Sequence, residues 1–352
     1  MLSMSGLLLY CRAGFEPECG REAESYAREL GIDSQAQPLP GGGAVYLPLP
    51  EAAADELAAL PFFRWVFARQ CLRVIGHVDN LPERDRTGPI ALAVPPAAYC
   101  ELWLEAADTE AGKPLLPFCR KFAPYLEKAL TERKVKLGSP RGPRLHVFFT
   151  DKQSAWLATS EPDNASPWPQ GIPRLRFPHE APSRSTMKLA EAFHVFLDQQ
   201  DQQRYLRQGL RVVDLGAAPG GWTWQFASRG LKVTAVDNGR MDKKLLAEYA
   251  VSHVQDDGFR YRPVKPVDWM VCDMVEQPAR IAQLVAKWLA QGWCKRSIFN
   301  LKLPMKKRYE EYLRCKAIIQ DTLRQAKVPY RLRFKQLYHD REEVTGYLER
   351  RD

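Results

Sequence analysis

A chain of 352 residues is too long for one small core, and domains of roughly 100 to 200 residues would make two or three of it. With 45% hydrophobic and 11% aromatic residues it can bury enough apolar surface to exclude global disorder. The net charge of +9 is uneven: residues 1–60 hold three basic and nine acidic side chains, residues 120–152 nine basic and three acidic, and residues 295–352 sixteen basic and eight acidic. Two separate basic stretches suit a polyanion contacted by two domains, although solvated helix faces explain such runs equally well. The eight cysteines form no C-x-x-C pair and read as reduced, mostly buried thiols. No stretch approaches the ~20 apolar residues of a membrane span, and no basic region precedes the apolar Leu7–Tyr10. A cytoplasmic protein without a membrane partner is expected.

In chain order, Gly6–Cys11 is a short apolar run, Arg12–Pro17 a loop and Glu18–Leu30 a helical pattern. A Gly41–Gly43 turn and a strand-like Ala44–Leu47 complete a small α+β unit that ends near Asn80. Ile90–Val94 and Leu145–Phe149 read as strands around a helix-rich middle that carries the basic stretch Arg120–Lys152, a second α+β unit over 81–160. Six prolines crowd residues 160–184, too many for a helix or a central strand, so 161–184 is expected to be an interdomain linker. Ser185–Leu206 then reads as a helix with Leu189, Phe193, Phe196 and Leu197 on one face. Over 185–352 the apolar runs Val212–Leu215, Lys232–Val236, Val251–Val254, Trp269–Cys272 and Ser297–Leu301 alternate with helical patterns, the rhythm of a parallel, doubly wound α/β sheet. Arg331–Leu337 and Val344–Leu348 have no helix between them and suit an antiparallel hairpin at one edge.

In such a sheet the ligand lies beyond the carboxyl end of the first strand, here Asp214-Leu-Gly-Ala-Ala-Pro-Gly-Gly221. A dinucleotide site wants G-x-G-x-x-G, whose second glycine lets a pyrophosphate approach the backbone. That position is Ala218, followed by Pro219, which has no N–H to donate. The loop therefore suits a cofactor without phosphates, namely S-adenosylmethionine. Asp237 ends the second strand, where a carboxylate accepts both ribose hydroxyls, and Asp257 ends the third, within reach of an adenine amine. Each acid alone could equally be a cap or a turn residue; the three strand ends together favour the cofactor.

Methyl transfer from a sulfonium needs little help with the leaving group, so the enzyme must position and deprotonate a nucleophile. Asp273 follows the fourth strand and Lys302 the fifth, and Lys188 lies in the first turn of the helix after the linker, where the helix dipole disfavours an ammonium. A lysine serves as base only if its pKa is pushed down. Each lysine alone would more often be an exposed side chain. No S-D-N or K-T-G accompanies Ser185-x-x-Lys188, no zinc-deaminase signature is present, and the six histidines have no metal spacing, so no metal is expected. The D/N-P-P-Y of base N-methylases is replaced by Asp273-Met-Val-Glu276. A cytosine-C5 methylase would need Cys272 as nucleophile, yet Cys272 and Asp273 point to opposite faces if the strand continues.

Pro182-Ser-Arg-Ser-Thr-Met-Lys-Leu189, Asp214-Leu-Gly-Ala-Ala-Pro-Gly-Gly-Trp-Thr223, Asn300-Leu-Lys-Leu-Pro304 and Leu337-Tyr-His-Asp-Arg-Glu-Glu-Val344 resemble the bacterial RlmM family of 23S rRNA 2'-O-ribose methyltransferases. Leu9-Tyr-Cys-Arg-Ala-Gly-Phe-Glu16 is similar too, so the resemblance spans nearly the whole chain. It implies a ferredoxin-like unit (1–80), a THUMP RNA-binding domain (81–160) and a Rossmann-like class I methyltransferase domain (185–352). It also implies a cytidine in the peptidyl transferase region of 23S rRNA as target, presented by naked rRNA or a pre-50S particle. The family's Lys-Asp-Lys-Glu tetrad falls on Lys188, Asp273, Lys302 and a glutamate of Arg341–Val344; Glu343 is preferred because it directly precedes the closing strand, with Glu342 the alternative. Lys302 matches the proton acceptor. Ser185, Ala218, Pro219, Gly220, Gly221, Asp237, Asp257 and Asp273 match cofactor contacts. The rivals are a cytosine-C5 methylase working through Cys272 and a non-catalytic RNA-binding assembly factor. Arg141 and Arg144 are expected to contact RNA.

Overall fold

The computed structural model describes residues 4–351, which divide into two compact units at Pro173/Arg174. The amino-terminal unit is built on one seven-stranded sheet. Its elements are β1 (Gly6–Tyr10), α1 (Glu16–Glu29), β2 (Gln37–Pro38), β3 (Ala44–Pro48), α2 (Glu51–Ala58), β4 (Gln70–Val78), α3 (Thr87–Ala93), β5 (Leu102–Ala106), α4 (Leu115–Glu132), β6 (Arg144–Asp151) and β7 (Ser154–Ser160). The strand order is β2-β3-β1-β4-β7-β6-β5, antiparallel except for the parallel β5/β6 pair. Leu7, Leu8 and Leu9 are all buried because β1 is a central strand covered on both faces.

Residues 4–80 and 81–160 are joined through this sheet, since β4 pairs with β7 from Arg73↔Thr159 to Val78↔Ala155. The Tyr10 hydroxyl of β1 also donates to the buried Glu105 of β5 at 2.9 Å. Ile90–Val94, expected as a strand, belongs instead to α3 and its end. Pro89 sits in the first turn, where a missing N–H costs little, and the alanine-rich Pro89-Ile-Ala-Leu-Ala93 favours helix over strand, with Ile90 and Ala91 buried. Nor is the proline-rich stretch a free linker along its whole length. It forms 3-10 turns at Pro162–Asn164 and Pro169–Gly171, the Asn164 side chain accepts the Phe62 N–H at 2.8 Å, and the Gln170 amide donates to the Ala106 carbonyl at 2.6 Å.

The carboxyl-terminal unit comprises α5 (Thr186–Phe196), α6 (Gln199–Tyr205), β8 (Arg211–Leu215), α7 (Gly221–Ala227), β9 (Lys232–Val236), α8 (Lys243–Glu248), β10 (Val251–Val254), β11 (Val267–Cys272), α9 (Pro278–Ala290), β12 (Cys294–Lys302), α10 (Arg308–Gln325), β13 (Tyr330–Lys335) and β14 (Glu343–Arg350). The single helix expected over Ser185–Leu206 is broken at Asp198, whose carboxylate caps α6 by accepting the Asp201 N–H at 2.7 Å. The order β10-β9-β8-β11-β12-β14-β13 is a Rossmann-like sheet: five parallel strands, then β14 antiparallel to both β12 and β13. Chain direction along the sheet reverses between β8 and β11, which opens a crevice at their carboxyl ends. Below it Phe193, Phe226, Trp269 and Tyr347 pack ring against ring. On the other face of the sheet Gly346 makes room for the Phe299 ring, to which a Cβ there would come within 2.3 Å.

Candidate active site

The crevice is a cleft of about 550 Å³ whose lining includes Gly216, Ala218, Asp237, Asp257, Asp273 and Met274. Its charged lining consists of Asp237, Asp256, Asp257, Asp273 and Glu276 against Arg280 alone. Such a wall repels phosphates and attracts a cation. Asp237 shapes the loop as well as facing the cleft: its carboxylate accepts the Ala218 N–H at 3.0 Å and the Gly239 N–H at 2.6 Å. Asp257 is half-exposed and accepts the Phe259 N–H at 2.9 Å. Beneath the cleft, Asp214 accepts the Thr223 hydroxyl at 2.6 Å, and burial together with the nearby Asp273 and Asp237 pushes its carboxyl up to about 7.

The loop Ala218–Gly221 is fastened to the segment before α5. The Trp222 indole donates to the Ser185 carbonyl at 3.0 Å, and the Gln225 amide reaches the Thr186 hydroxyl at 2.8 Å. Ser185 and Ser183 share a hydrogen bond at 2.7 Å, and both hydroxyls lie 2.3 Å from where a Cβ on Gly221 would stand. Glycine at 221 is therefore a requirement of close approach. Gly220, with φ of 119°, and Pro219 complete the turn.

Four side chains meet beside the cleft. Lys302 at the end of β12 lies directly opposite Glu343 at the start of β14, and its ammonium donates to Glu343 Oε2 at 2.7 Å and also to Asp273 Oδ1. Lys188 pairs with Glu343 Oε1 and stands 3.6 Å from Asp273. Two ammonium groups and two carboxylates balance. Glu342 takes no part, because it pairs with Arg308 at 2.6 Å on the surface. Burial pulls the Lys302 ammonium down, but the carboxylates of Asp273 and Glu343 outweigh it and hold the proton more tightly than usual. The resting lysine is thus charged and lacks the lowered pKa that a lysine base requires. Burial likewise opposes the charge on Glu343, yet Lys302 and Lys188 keep its carboxyl below the ordinary range.

Some polar residues that the sequence did not single out support this group. Asn300 donates to Asp273 Oδ1 at 2.8 Å. Glu191, one turn after Lys188 on α5, accepts the Tyr338 and His339 N–H groups at 2.8 and 2.9 Å, and so ties Lys188's helix to the loop that leads to Glu343. The available signal was the period-two spacing that puts Asn300 with Lys302, and Glu343 with Thr345, on one face of paired strands.

One rival reading and one expectation fail here. Cys272 is fully buried in β11, and burial pushes its thiol up to about 12, so it offers no thiolate for attack on a base. Arg144 is buried as well, ion-paired with Glu101 at 2.8 Å and stacked 3.7 Å from the centre of the Trp103 ring; it holds its unit together and is not free to meet a phosphate.

Three family models match the chain: the RlmM ferredoxin-like domain over 4–72, the amino-terminal domain of ribosomal RNA large subunit methyltransferase M over 85–161, and the FtsJ-like methyltransferase over 181–287. Proteins named ribosomal RNA large subunit methyltransferase M are similar throughout. That of Aromatoleum aromaticum is 51% identical over 99% of this chain and 95% of its own length. That of Methylococcus capsulatus is 49% identical over 99% of both, and that of Azotobacter vinelandii is 46% identical over 98% of both. With a ferredoxin-like domain, an FtsJ-like methyltransferase domain and relatives alike from end to end, the chain belongs to the ribosomal RNA large subunit methyltransferase M family.

Proposed function

We propose that this rRNA methyltransferase methylates the ribose 2'-hydroxyl of a cytidine in the peptidyl transferase region of 23S rRNA, with Lys302 as proton acceptor. The observation that carries the reading is the meeting of Lys188, Asp273, Lys302 and Glu343 at the rim of an acidic cleft. The methyl donor is S-adenosylmethionine, and it supplies an activated methyl on a positively charged sulfur. The cleft fits it: acid-lined, free of lysine, and with the small residues Gly216, Ala218 and Gly258 in its lining. Asp237 and Asp257 would take the nucleoside hydroxyls and amine, while Ser185 and Ala218–Gly221 would shape the turn beneath.

The remaining chemistry belongs to the tetrad. Asp273 and Glu343 hold Lys302 in place, and Lys188 neutralises the second carboxylate. Lys302 must shed its proton before it can accept one from a ribose hydroxyl. A cation bound in the cleft lowers its proton affinity through space, which couples donor binding to base activation. Methyl transfer in vitro, to rRNA from cells lacking this protein and to pre-50S particles from the same cells, tests the reading. The expected product is one cytidine resistant to alkaline cleavage. Methyl at C5 of the base would refute it, as would transfer to a different 2'-hydroxyl.

We further propose residues 81–160 as an RNA-binding THUMP domain. Arg133, Lys136 and Arg141 are exposed there, as is Tyr125, and aromatic rings beside cations suit single-stranded RNA. Replacing these three cations with alanine should weaken RNA binding and make its salt dependence shallower, by about 0.7 to 0.9 in slope for each phosphate no longer neutralised. Arg144→Ala should instead lower stability and leave the slope alone. Filter binding across a salt series decides, and an unchanged slope in the triple variant would move the RNA surface elsewhere.

A further inference from the structure

From Asn300, which donates to Asp273, a line of buried polar groups continues away from the tetrad to residues that touch none of its four members. Asn300 on β12 faces Thr345 on β14, and the Thr345 hydroxyl lies 2.8 Å from Asn300 Oδ1 and 3.0 to 3.1 Å from both carboxyl oxygens of Asp340. Asp340 Oδ2 also accepts the Leu337 N–H at 2.9 Å. All three side chains have essentially no exposure, so water cannot complete their hydrogen bonds.

Their protons can be placed by following donors outward from the site. Asp273 receives the Lys302 ammonium and stands beside that of Lys188, so it is the acceptor and the end of the Asn300 amide facing it must be the NH₂. The other end, Oδ1, only accepts, so the Thr345 hydroxyl must donate to it. That hydroxyl has one hydrogen and cannot also donate to Asp340. The contact between Thr345 and Asp340 is then a hydrogen bond only if Asp340 carries the proton, on Oδ1, since Oδ2 already receives the Leu337 N–H.

We propose that Asp340 is a neutral carboxylic acid that acts as a positioning residue, fixing Asp273 through a one-way chain of hydrogen bonds across Thr345 and Asn300. The surroundings agree: burial and the negative charges of Glu343 and Glu191 favour the protonated acid, against Lys188 and the Leu337 N–H. The consequence for chemistry, which rests on the proposed role of Lys302, is a competition. The Asn300 amide and the Lys302 ammonium donate to the same oxygen, Asp273 Oδ1. As long as the chain locks the amide there, Asp273 grips the Lys302 proton less firmly than it would alone.

The test uses the full-length protein and three variants, Thr345→Val, Thr345→Ser and Asp340→Asn, compared in single-turnover methyl transfer from pH 6 to 9 and in cofactor binding by calorimetry. Thr345→Val should move the rising limb of the pH–rate profile about one unit upward, about tenfold slower at a fixed neutral pH, with cofactor affinity unchanged. Thr345→Ser restores the hydroxyl, and Asp340→Asn replaces the acid O–H with an amide N–H; both should follow the wild type. A Thr345→Val profile that overlays the wild type overturns the proposal. So does an Asp340→Asn profile displaced like that of Thr345→Val, because it would mean that a charge was lost. Should Thr345→Val fail to fold, the other two variants still decide. Infrared difference spectra of wild type minus Asp340→Asn at pH 7 provide a readout independent of turnover: a carboxylic acid C=O band supports the chain, and carboxylate bands alone overturn it. A wild-type enzyme that methylates a base would sink the proposed function yet leave the infrared result to judge Asp340.

Discussion

Lys302→Ala is expected to slow methyl transfer on the order of 10²-fold or more while cofactor affinity stays nearly constant. Lys302 sits between Asp273 and Glu343, away from the loop Ala218–Gly221, so its loss should spare the donor site and remove the proton acceptor. Alanine also leaves two carboxylates facing Lys188 alone, a charge imbalance that contributes to the loss. Lys302→Arg separates the two effects, because arginine restores the charge but does not give up its proton in proteins. It should be as slow as alanine if proton acceptance matters, and substantially active if only charge does. The pH dependence has a definite sign. Since the carboxylates raise the Lys302 pKa, the free-amine fraction grows tenfold for each pH unit below that value, so log rate should climb with unit slope through the neutral range. A flat profile in single-turnover measurements would rule out Lys302 as base.

The second large effect is expected from Gly221→Ala. The new methyl would lie 2.3 Å from the hydroxyl oxygens of Ser183 and Ser185 and 3.1 Å from the Thr186 nitrogen. The serines can rotate, but the Thr186 backbone begins α5 and cannot recede without moving Lys188. Overpacking of this kind costs about 1–3 kcal/mol. The variant should melt earlier, bind cofactor at least about tenfold more weakly, and turn over slowly even at saturating cofactor. Thermal unfolding, calorimetry and turnover at saturation measure the three separately. Wild-type cofactor affinity would show that the loop and α5 do not share the strain.

The sheet of the carboxyl-terminal unit was readable because its central strands are covered on both faces and appear as continuous apolar runs. Val212–Leu215 and Trp269–Cys272 fall within the central strands β8 and β11. Ile90–Val94 misled for the same reason: a short apolar run has no period, and its alanines and Pro89, packed against α4, make it helical. The site was legible where residues sit at strand ends and obscure where cross-strand partners matter. Asn300, Thr345 and Asp340 are ordinary polar residues until the β12/β14 register aligns them. The direction of the Lys302 shift was out of reach because its sign depends on how many carboxylates surround it, which is a matter of distance. Arg144 was miscast because a positive charge in sequence says nothing about an indole beneath it.

The β4/β7 ladder has a consequence for how this protein can be taken apart. Separate sequence models match residues 4–72 and 85–161, yet a chain cut near residue 80 would leave β4 and β7 each with a row of bare backbone groups, the kind of edge that seeds intermolecular sheet formation. Expression of either half alone should give aggregates, whereas 4–173 retains every strand of the sheet. For recombination and domain grafting, these two modules are a single heritable piece.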